Sequence, residues 1–390
     1  MSWPMVKLGD LFKITSGGTP SRKKSEYYDG GDIHWVKTGD LHNKYVRSAS
    51  EFITQEGLAS SSARLYPKGT VLVAMYGATI GACSILDIEA ATNQACAAFT
   101  PTEKVDPVFL YYLLKHSKPA FVKAGSGGAQ PNISGTFLKN FEIPLPPLEE
   151  QKRIAAILDK ADAIRQKRKQ AIALADEFLR SVFLEMFGDP VTNPKGWEVK
   201  EVSTVCTEIV DCVNRTAPTV DYETPYKMIR TTNVRDKKIN LSETRYVEFE
   251  TYKTWVRRLK PQKGDLIFTR EAPAGEAGVI ETDDFIFLGQ RTMHFRPNQT
   301  LIHPVFLLHE LTASGVKRQI VKLSAGSTVT HLSVPECKKF LIRVPNIEKQ
   351  LSFVKLAREL EKQINRSSEF FRESEVFFNA LSQKAFSGQL

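Results

Sequence analysis

The sequence predicts a mixed α/β (α+β) chain built twice. Two globular domains alternate with two long helices, and the helices are expected to pair as an antiparallel coiled coil with pseudo-twofold symmetry. Three observations carry this expectation. Pro144-Leu145-Pro146-Pro147-Leu148-Glu149-Glu150-Gln151 opens an apolar-periodic run that lasts to Gly188. The same design returns as Val344-Pro345-Asn346-Ile347-Glu348-Lys349-Gln350 with a second run behind it. Short motifs between the runs recur in order, displaced by about half the chain. The expected divisions are a first domain over 1–147, a helix over 148–188, a second domain over 189–345 and a helix over 346–390.

Each helix follows from local chemistry. The prolines stiffen the entry and cannot continue a strand. Glu149 and Glu150 lie where a helix N-terminus favours negative charge. Apolar positions then repeat every seven residues. One row is Ile154, Ala161, Ala175 and Val182, interrupted by Arg168; the other is Ile157, Ile164, Ala171 and Phe178. Heptads sustained over about four to five repeats argue coiled coil over an ordinary surface helix. Gly188 and Pro190 supply the stop. The second run carries Phe353, Leu356, Leu360, Ile364, Phe370, Phe377 and Leu381. Phe371 and Phe378, beside Phe370 and Phe377, are expected to be exposed and to widen the stripe for a further neighbour. A helix of about 39 residues reaches roughly 58 Å at 1.5 Å per residue. That is between one and two turns of B-DNA at about 34–36 Å each.

Between the helices, Ile33-His34-Trp35-Val36-Lys37 and Thr70-Val71-Leu72-Val73-Ala74-Met75 read as strands, and Pro107-Val108-Phe109-Leu110-Tyr111-Tyr112-Leu113-Leu114 as a short apolar helix. Ser16-Gly17-Gly18-Thr19-Pro20, Tyr76-Gly77-Ala78-Thr79 and Gly125-Ser126-Gly127-Gly128 read as loops. The repeat anchors are Trp3 with Trp197 (197 − 3 = 194), Lys68 with Lys263 (263 − 68 = 195) and Pro107-Val108-Phe109-Leu110 with Pro304-Val305-Phe306-Leu307 (304 − 107 = 197). Gln151 with Gln350 follows at 350 − 151 = 199. A repeat of half the chain is too long for a solenoid.

Composition narrows the function classes. Apolar content of 42% and charged content of 25% are those of a globular protein. A net charge of +9 is compatible with nucleic acid or an anionic surface. Five scattered cysteines form no CxxC pair, which argues against a disulfide framework or a zinc site and for a reducing, cytoplasmic setting. No apolar run approaches a membrane span. There is no GxxxxGK loop, no HExxH, and no metal-ligand spacing among the seven histidines. Asn193-Pro194-Lys195-Gly196 lacks the stacking aromatic of an amino-methyltransferase motif. Asp189 with Glu198-Val199-Lys200 is too loose for a metal nuclease. No catalytic residue and no metal ligand is assigned.

Loop residues supply the candidate DNA contacts. In the first domain they are Ser16, Thr19, Arg22, Lys23, Lys24, Lys37, Thr38, Tyr76, Thr79, Gln94, Ser126, Gln130 and Asn132. In the second they are Arg230, Thr231, Asn233, Arg235, Thr269, Arg270, Glu271, Gln290, Arg291, Ser327 and Thr328, with Arg257 and Arg258 nearby. Arg, Asn, Gln and Thr can pair with base edges, while Lys and backbone N–H groups hold phosphate. Taken singly, each reads as a solvated surface group; as a set on matching loops they favour binding. Lys152, Arg153, Lys160, Arg165, Lys167, Arg168 and Lys169 outnumber Asp159 and Asp162 on the first helix. That face is equally a solvated one or one that meets a partner. Arg153, Arg165, Phe371 and Phe378 are the candidate partner contacts. A self-contained DNA methyltransferase or nuclease, and a coiled-coil adaptor without DNA binding, are the rival readings.

At this point the sequence resembles the specificity (S) subunit of type I restriction-modification systems, over essentially the whole chain. The carriers are Ser16-Gly17-Gly18-Thr19-Pro20-Ser21, Trp35-Val36-Lys37-Thr38-Gly39-Asp40-Leu41, the run from Ile143 to Asp159, and Phe183-Leu184-Glu185-Met186-Phe187-Gly188-Asp189-Pro190. The resemblance implies two target-recognition domains, each reading half of a bipartite site in double-stranded DNA, with the helices spacing them. It implies no catalysis and no cofactor in this chain. Two methyltransferase subunits would modify adenine N6 with S-adenosylmethionine, and restriction subunits would add an ATP- and Mg-dependent nuclease. The second half departs from the pattern: the double proline is lost at Val344-Pro345-Asn346, and Ser-Gly-Gly-Thr-Pro has no counterpart near Val213.

Overall fold

Val71–Ala74 and Leu266–Thr269 are buried at every position, as continuous apolar runs covered on both faces should be. They are the central strands of two units. The computed structural model describes residues 3–125, 132–324 and 331–390. One unit comprises Met1–Gln170 with Ser367–Leu390, the other Ala171–Arg366.

In the first unit a five-stranded sheet runs in the order Thr15–Ser16, Cys96–Phe99, Val71–Ala74, Cys83–Leu86, Tyr45–Val46. A four-stranded sheet runs Glu51–Ile53, Ile33–Val36, Ala90–Thr92, Leu65–Tyr66, with Trp35 opposite Ala91 in a parallel pair. The second unit repeats the plan. Cys206–Asp211, Thr292–Pro297, Leu266–Thr269 and Ala277–Val279 form one sheet; Arg245–Tyr246, Tyr226–Ile229 and Phe285–Leu288 form the other, again with a parallel pair at Met228 and Phe287. The turns into the central strands use Gly69 at φ +89° and Gly264 at φ +91°, a left-handed conformation that favours glycine. Their separation, 264 − 69 = 195, is that of the sequence repeat. In each unit a two-stranded pair, Met5–Lys7 with Glu142–Pro144 and Val199–Glu201 with Leu341–Arg343, ties the start of the domain to the entry of a long helix.

Six helices matter below. In the first unit α1 is Pro107–His116, with Pro at the first position and Asp106 accepting from the amides of Val108 and Phe109. It continues into α2, Lys118–Gly125. The first long helix, α3, is Leu148–Phe187. In the second unit α4 is Pro304–Thr312, capped by the His303 ring, and α5 is Ser314–Leu323. The second long helix, α6, is Ile347–Phe386.

The inward face of α3 is Gln151, Ile154, Leu158, Ala161, Arg165, Arg168, Ile172, Ala175, Leu179, Val182 and Met186, stepping alternately by three and four. The expected row from Ile154 to Val182 is therefore inward. The second expected row is one residue out of phase: Ile164 and Phe178 are each 51% exposed, and Arg165 and Leu179 face inward in their stead, as Leu158 does beside Ile157. On α6 the inward face is Gln350, Phe353, Ala357, Leu360, Ile364, Ser367, Phe371, Ser374, Phe378, Leu381 and Ala385. Every member lies 199 residues after its counterpart in α3, from 350 − 151 to 385 − 186. The expectation for the paired phenylalanines is thus reversed: Phe378 is buried, and Phe370 and Phe377 are exposed. Adjacent apolar residues such as Phe377 and Phe378 leave hydrophobicity unable to choose the phase. The facing core chooses it.

Within each unit the two helices run antiparallel. In the first, Arg165 pairs with Glu375 at 2.8 Å and lies 4.6 Å from the Phe378 ring, while Arg168 donates to the Phe370 carbonyl at 2.5 Å. In the second, Phe183 and Phe187 meet Phe353 with ring centroids 5.2 and 5.7 Å apart. The cores form where these helices meet α1 and α4: Phe99, Phe109, Ile154 and Leu158 in the first unit, and Phe268, Phe295, Phe306 and Phe353 in the second.

His309 of α4 lies inside the second core between Phe183 and Phe353, at 5.4 and 4.9 Å. Burial, reinforced by the Lys237 ammonium, holds its ring well below the ordinary value of 6.5. The folded unit keeps it neutral while the unfolded chain protonates it, so stability falls as pH drops below about 6.5. The expected slope is about 1.4 kcal/mol per pH unit from this residue. Urea unfolding between pH 7 and 5 should show it, and His309→Gln should flatten it; an unchanged slope refutes the assignment.

Candidate nucleic-acid interface

The loops of the first unit are held by close backbone approach. A Cβ on Gly17 would lie 1.8 Å from the Thr92 carbonyl oxygen, and the Gly18 amide donates to that oxygen at 2.9 Å. The Gly18 carbonyl accepts from the buried Trp35 indole at 3.0 Å. This is why glycines precede Thr19: a side chain at Gly17 would strike Thr92, and one at Gly18 would strike Ser62 and Ala63. Thr19 then hydrogen-bonds Gln94, joining two candidate residues. Tyr76 bridges Asn132. The Met75 amide donates to the Ala95 carbonyl at 2.8 Å, and the Met75 carbonyl accepts from the Ile133 amide at 2.9 Å. Three strand-end segments therefore meet around Tyr76, Gln94 and Asn132. Ser16 and Tyr76 are exposed, and Thr79 is half-buried, its hydroxyl donating to the Tyr76 carbonyl at 3.0 Å.

The basic residues nearby are more constrained than their sequence implies. Arg22 lies over the Tyr28 and Trp35 rings, 4.4 and 5.0 Å from their centroids, and pairs with Glu51 at 2.5 Å. Lys37 pairs with the same carboxylate. The Lys37 ammonium, against a burial effect and with help from Arg22, holds Glu51 below the usual carboxylate range. Glu51 thus fixes two candidate cations, and no sequence pattern marks it. Lys24 donates to the Tyr27 hydroxyl at 2.9 Å. Lys23 is exposed, and Thr38 is half-buried at the start of a 3-10 turn.

The second unit builds the same junction. The Arg270 amide donates to the Arg291 carbonyl at 2.8 Å, and the Arg270 carbonyl accepts from the Leu332 amide at 3.2 Å. Arg270 therefore stands where the first unit has Met75, and it is 7% exposed. Its guanidinium donates to the Leu332 carbonyl at 3.0 Å and pairs with Asp211 at 3.0 Å. The expected base-reading role does not suit that position; Arg270 is a strut beneath the loops. Thr269 is likewise fully buried, bonded to the Pro273 carbonyl and the Glu276 amide. Asn233 is 3% exposed, and its side-chain amide donates to the Asn240 and Glu243 carbonyls. Thr231 is buried, Arg230 is half-buried, and the Arg230 amide donates to the Asn233 side chain at 2.9 Å. Arg235 donates to the Val234 and Ala272 carbonyls at 2.7 and 3.0 Å. These residues shape loops.

Exposed polar groups remain above them. Arg291, at φ +68°, pairs with Glu271 at 3.0 Å, and Glu271 also meets His331. Gln290 is exposed and lies 290 − 94 = 196 residues after Gln94. His331, missed in the sequence, falls 331 − 132 = 199 residues after Asn132. Ser126, Gln130, Ser327 and Thr328 lie outside the described residues.

Of the candidate partner contacts, Arg165 and Phe378 are spent inside the first unit. Phe371 is half-buried on the inward face. Arg153 is exposed, pairing with Glu150 at 2.7 Å and donating to the Leu390 carbonyl at 2.9 Å. Phe370, Val376 and Phe377, 52%, 70% and 61% exposed, form the apolar face that solvent reaches. Among the described residues no cluster of three or more potential metal ligands occurs, and no helix is long and apolar enough to cross a membrane.

Two matched loop junctions on a duplicated fold are the geometry on which relatives can be judged. Residues 2–174 match the type I restriction modification DNA specificity domain. The MjaIX specificity subunit of Methanocaldococcus jannaschii is 35% identical over 52% of this chain, and the EcoBI specificity subunit of Escherichia coli is 22% identical over all of it and 86% of that protein. Both relatives are specificity subunits of type I restriction enzymes, and this chain is similar to them. The aligned stretch spans about half, 51%, of the MjaIX subunit. The crystal structure of an S subunit from M. genitalium has the same fold: TM-score 0.60 at 14% identity, over 99% of this chain and 96% of that one.

Proposed function

We propose that this chain is the non-catalytic DNA-recognition subunit of a type I restriction-modification complex. The observation that carries the reading is the loop junction built twice, at Met75/Ala95/Ile133 and Arg270/Arg291/Leu332. Each junction offers exposed polar side chains, Tyr76, Gln94 and Asn132 in one and Gln290, Arg291 and His331 in the other. Each reads one half of a bipartite site in duplex DNA. A bidentate contact of the Arg or Gln type contributes roughly 1–3 kcal/mol of discrimination. Lys23 and its neighbours hold phosphate and make binding salt-dependent.

The long helices form an antiparallel coiled coil that sets the gap between half-sites. Their shared heptad phase supports that role, because equal seams of opposite direction can close on each other throughout. The exposed Phe370, Val376 and Phe377 face is a dock for methyltransferase subunits, which carry the chemistry; restriction subunits join them.

The test is methylation mapping in cells that carry the chain with its methyltransferase. Removing one heptad from each long helix should shorten the preferred gap and leave both half-site sequences intact. An unchanged gap refutes the spacer role. Loss of all salt-dependent duplex binding by the wild-type complex would refute the DNA-reading role itself.

A further inference from the structure

The repeat allows one unit to be compared with the other, and one lysine differs in its surroundings. Lys44 and Lys237 occupy equivalent places, each six residues after the start of a 3-10 turn: 44 − 38 = 6 and 237 − 231 = 6. Lys44 pairs with Asp159 of α3, which also accepts from the Tyr112 hydroxyl at 2.6 Å. In the second unit Tyr112 is replaced by His309 (309 − 112 = 197) and Asp159 by Arg358 (358 − 159 = 199). The carboxylate that neutralises the first lysine has become a cation. Lys237 meets only the His309 Nδ1, at 3.2 Å, and forms no ion pair among the described residues.

Lys237 and His309 line a cavity of about 340 Å³. Arg180 of α3 and Lys317 of α5 line it too; both are exposed and neither is in an ion pair among the described residues. The N-terminus of α5 opens onto it at Ser314, and the preceding Ala313 offers no side-chain cap. The first-turn amides of a helix attract an anion. His309 is 4% exposed and its Nε2 has no hydrogen-bond partner. With Lys237 donating to Nδ1, that nitrogen carries the ring proton, so it is a buried donor without an acceptor. Two carboxylates, Asp236 and Glu276, share the lining, and Glu276 already accepts the Asp236 amide at 3.1 Å. Three cations, a helix N-terminus and the His309 ring therefore line one space.

We propose that this cavity binds a phosphate group, held by Arg180, Lys237, Lys317 and the first turn of α5. The anion supplies Lys237 with the counter-charge that Asp159 gives Lys44 in the first unit. The group is either a free phosphate or a phosphodiester of DNA; in the second case the inference rests on the DNA-reading function above and adds an anchor outside the recognition loops.

Two arms of one experiment separate the sources. In the first, the full chain is titrated calorimetrically with sodium phosphate against sodium chloride of matched ionic strength. In the second, the complete complex is titrated with duplex DNA at several salt concentrations. The surface pair Arg180→Gln/Lys317→Gln is the main variant, because both side chains are exposed and the fold survives their loss; Lys237→Met is the second. A free-phosphate site gives saturable binding that the pair weakens at least about tenfold, one lost charge-assisted contact. A DNA anchor gives no phosphate binding but a similar loss of duplex affinity, with a salt slope smaller by about 2 for two lost contacts. Sequence preference should stay unchanged in that arm. If the folded variants match wild type in both arms, the proposal is overturned, whatever the outcome for the recognition loops.

Discussion

Replacing Glu310 by leucine is expected to destabilise the second unit by about 3–5 kcal/mol, because it strands a buried guanidinium. Arg343 is 2% exposed and Glu310 3%. The guanidinium donates to Glu310 at 2.5 and 3.1 Å, and to the carbonyls of Phe187 and Gly188 at 2.9 and 2.7 Å. It thereby satisfies carbonyls at the C-terminus of α3 that the helix cannot satisfy itself. Burial pushes the Glu310 carboxyl up against the pull of Arg343, so the pair is held together at a desolvation cost. The first unit indicates what replaces it: the equivalent positions are Leu113 (310 − 113 = 197) and Pro144 (343 − 144 = 199). The double variant Glu310→Leu/Arg343→Leu should therefore recover at least half of the single loss. The remainder is the two uncapped carbonyls and the residue 343 amide, which donates to Glu310 at 3.1 Å, at roughly 1 kcal/mol each. Urea unfolding of both variants, with hydrogen exchange reporting on Thr292–Pro297, measures the difference. A double variant as unstable as the single one would contradict the argument.

The pattern of alternation between domains and helices was legible because it rests on features a chain displays openly: prolines, glycines, heptads and a verbatim Pro-Val-Phe-Leu. The phase of the heptads was only half legible. Ile154 to Val182 is apolar on one row alone, whereas Ile157 and Leu158, or Phe377 and Phe378, are apolar side by side. Only a neighbour such as Glu375 against Arg165 decides between them, and neighbours distant in sequence leave no local mark. The loops show the same division. Gly17 and Gly18 declared a loop, and the close approach of Thr92 and Ser62 is what requires them there. Arg270, by contrast, has the composition of a base reader and the address of a core residue. Its alignment with Met75 becomes visible only when backbone hydrogen bonds fix which strand end matches which. Glu51, which holds Arg22 and Lys37 together, carried no signal, because a lone acid in a strand is ordinary until two cations are brought to it.

Gln350→Ala and Gln151→Ala are expected to cost about 2–4 kcal/mol each. Both glutamines are buried, 0% and 1% exposed, at the first turn of a long helix. Gln151 donates to the Lys104 and Pro146 carbonyls at 3.0 and 2.9 Å and accepts from the Asp106 amide at 2.9 Å. Gln350 donates to the Leu301 and Pro345 carbonyls at 3.0 and 2.8 Å and accepts from the His303 amide at 2.9 Å. The three partners have the same roles in both units: the loop before the short apolar helix, its capping residue, and the proline that admits the long helix. One side chain thus locks α1 to α3, and its copy locks α4 to α6. Alanine leaves an amide and two carbonyls buried without partners, and the cost of such groups exceeds the net worth of the bonds they made. Glutamate at either position should do worse than alanine, because an ionised carboxylate faces two carbonyl oxygens. If the long helices set the half-site gap as proposed, a helix released at its first turn sets it less sharply. Half-site gap preference should therefore broaden in Gln151→Ala before methylation is lost, and a variant that loses stability but keeps a sharp gap would confine the glutamine to a purely local role.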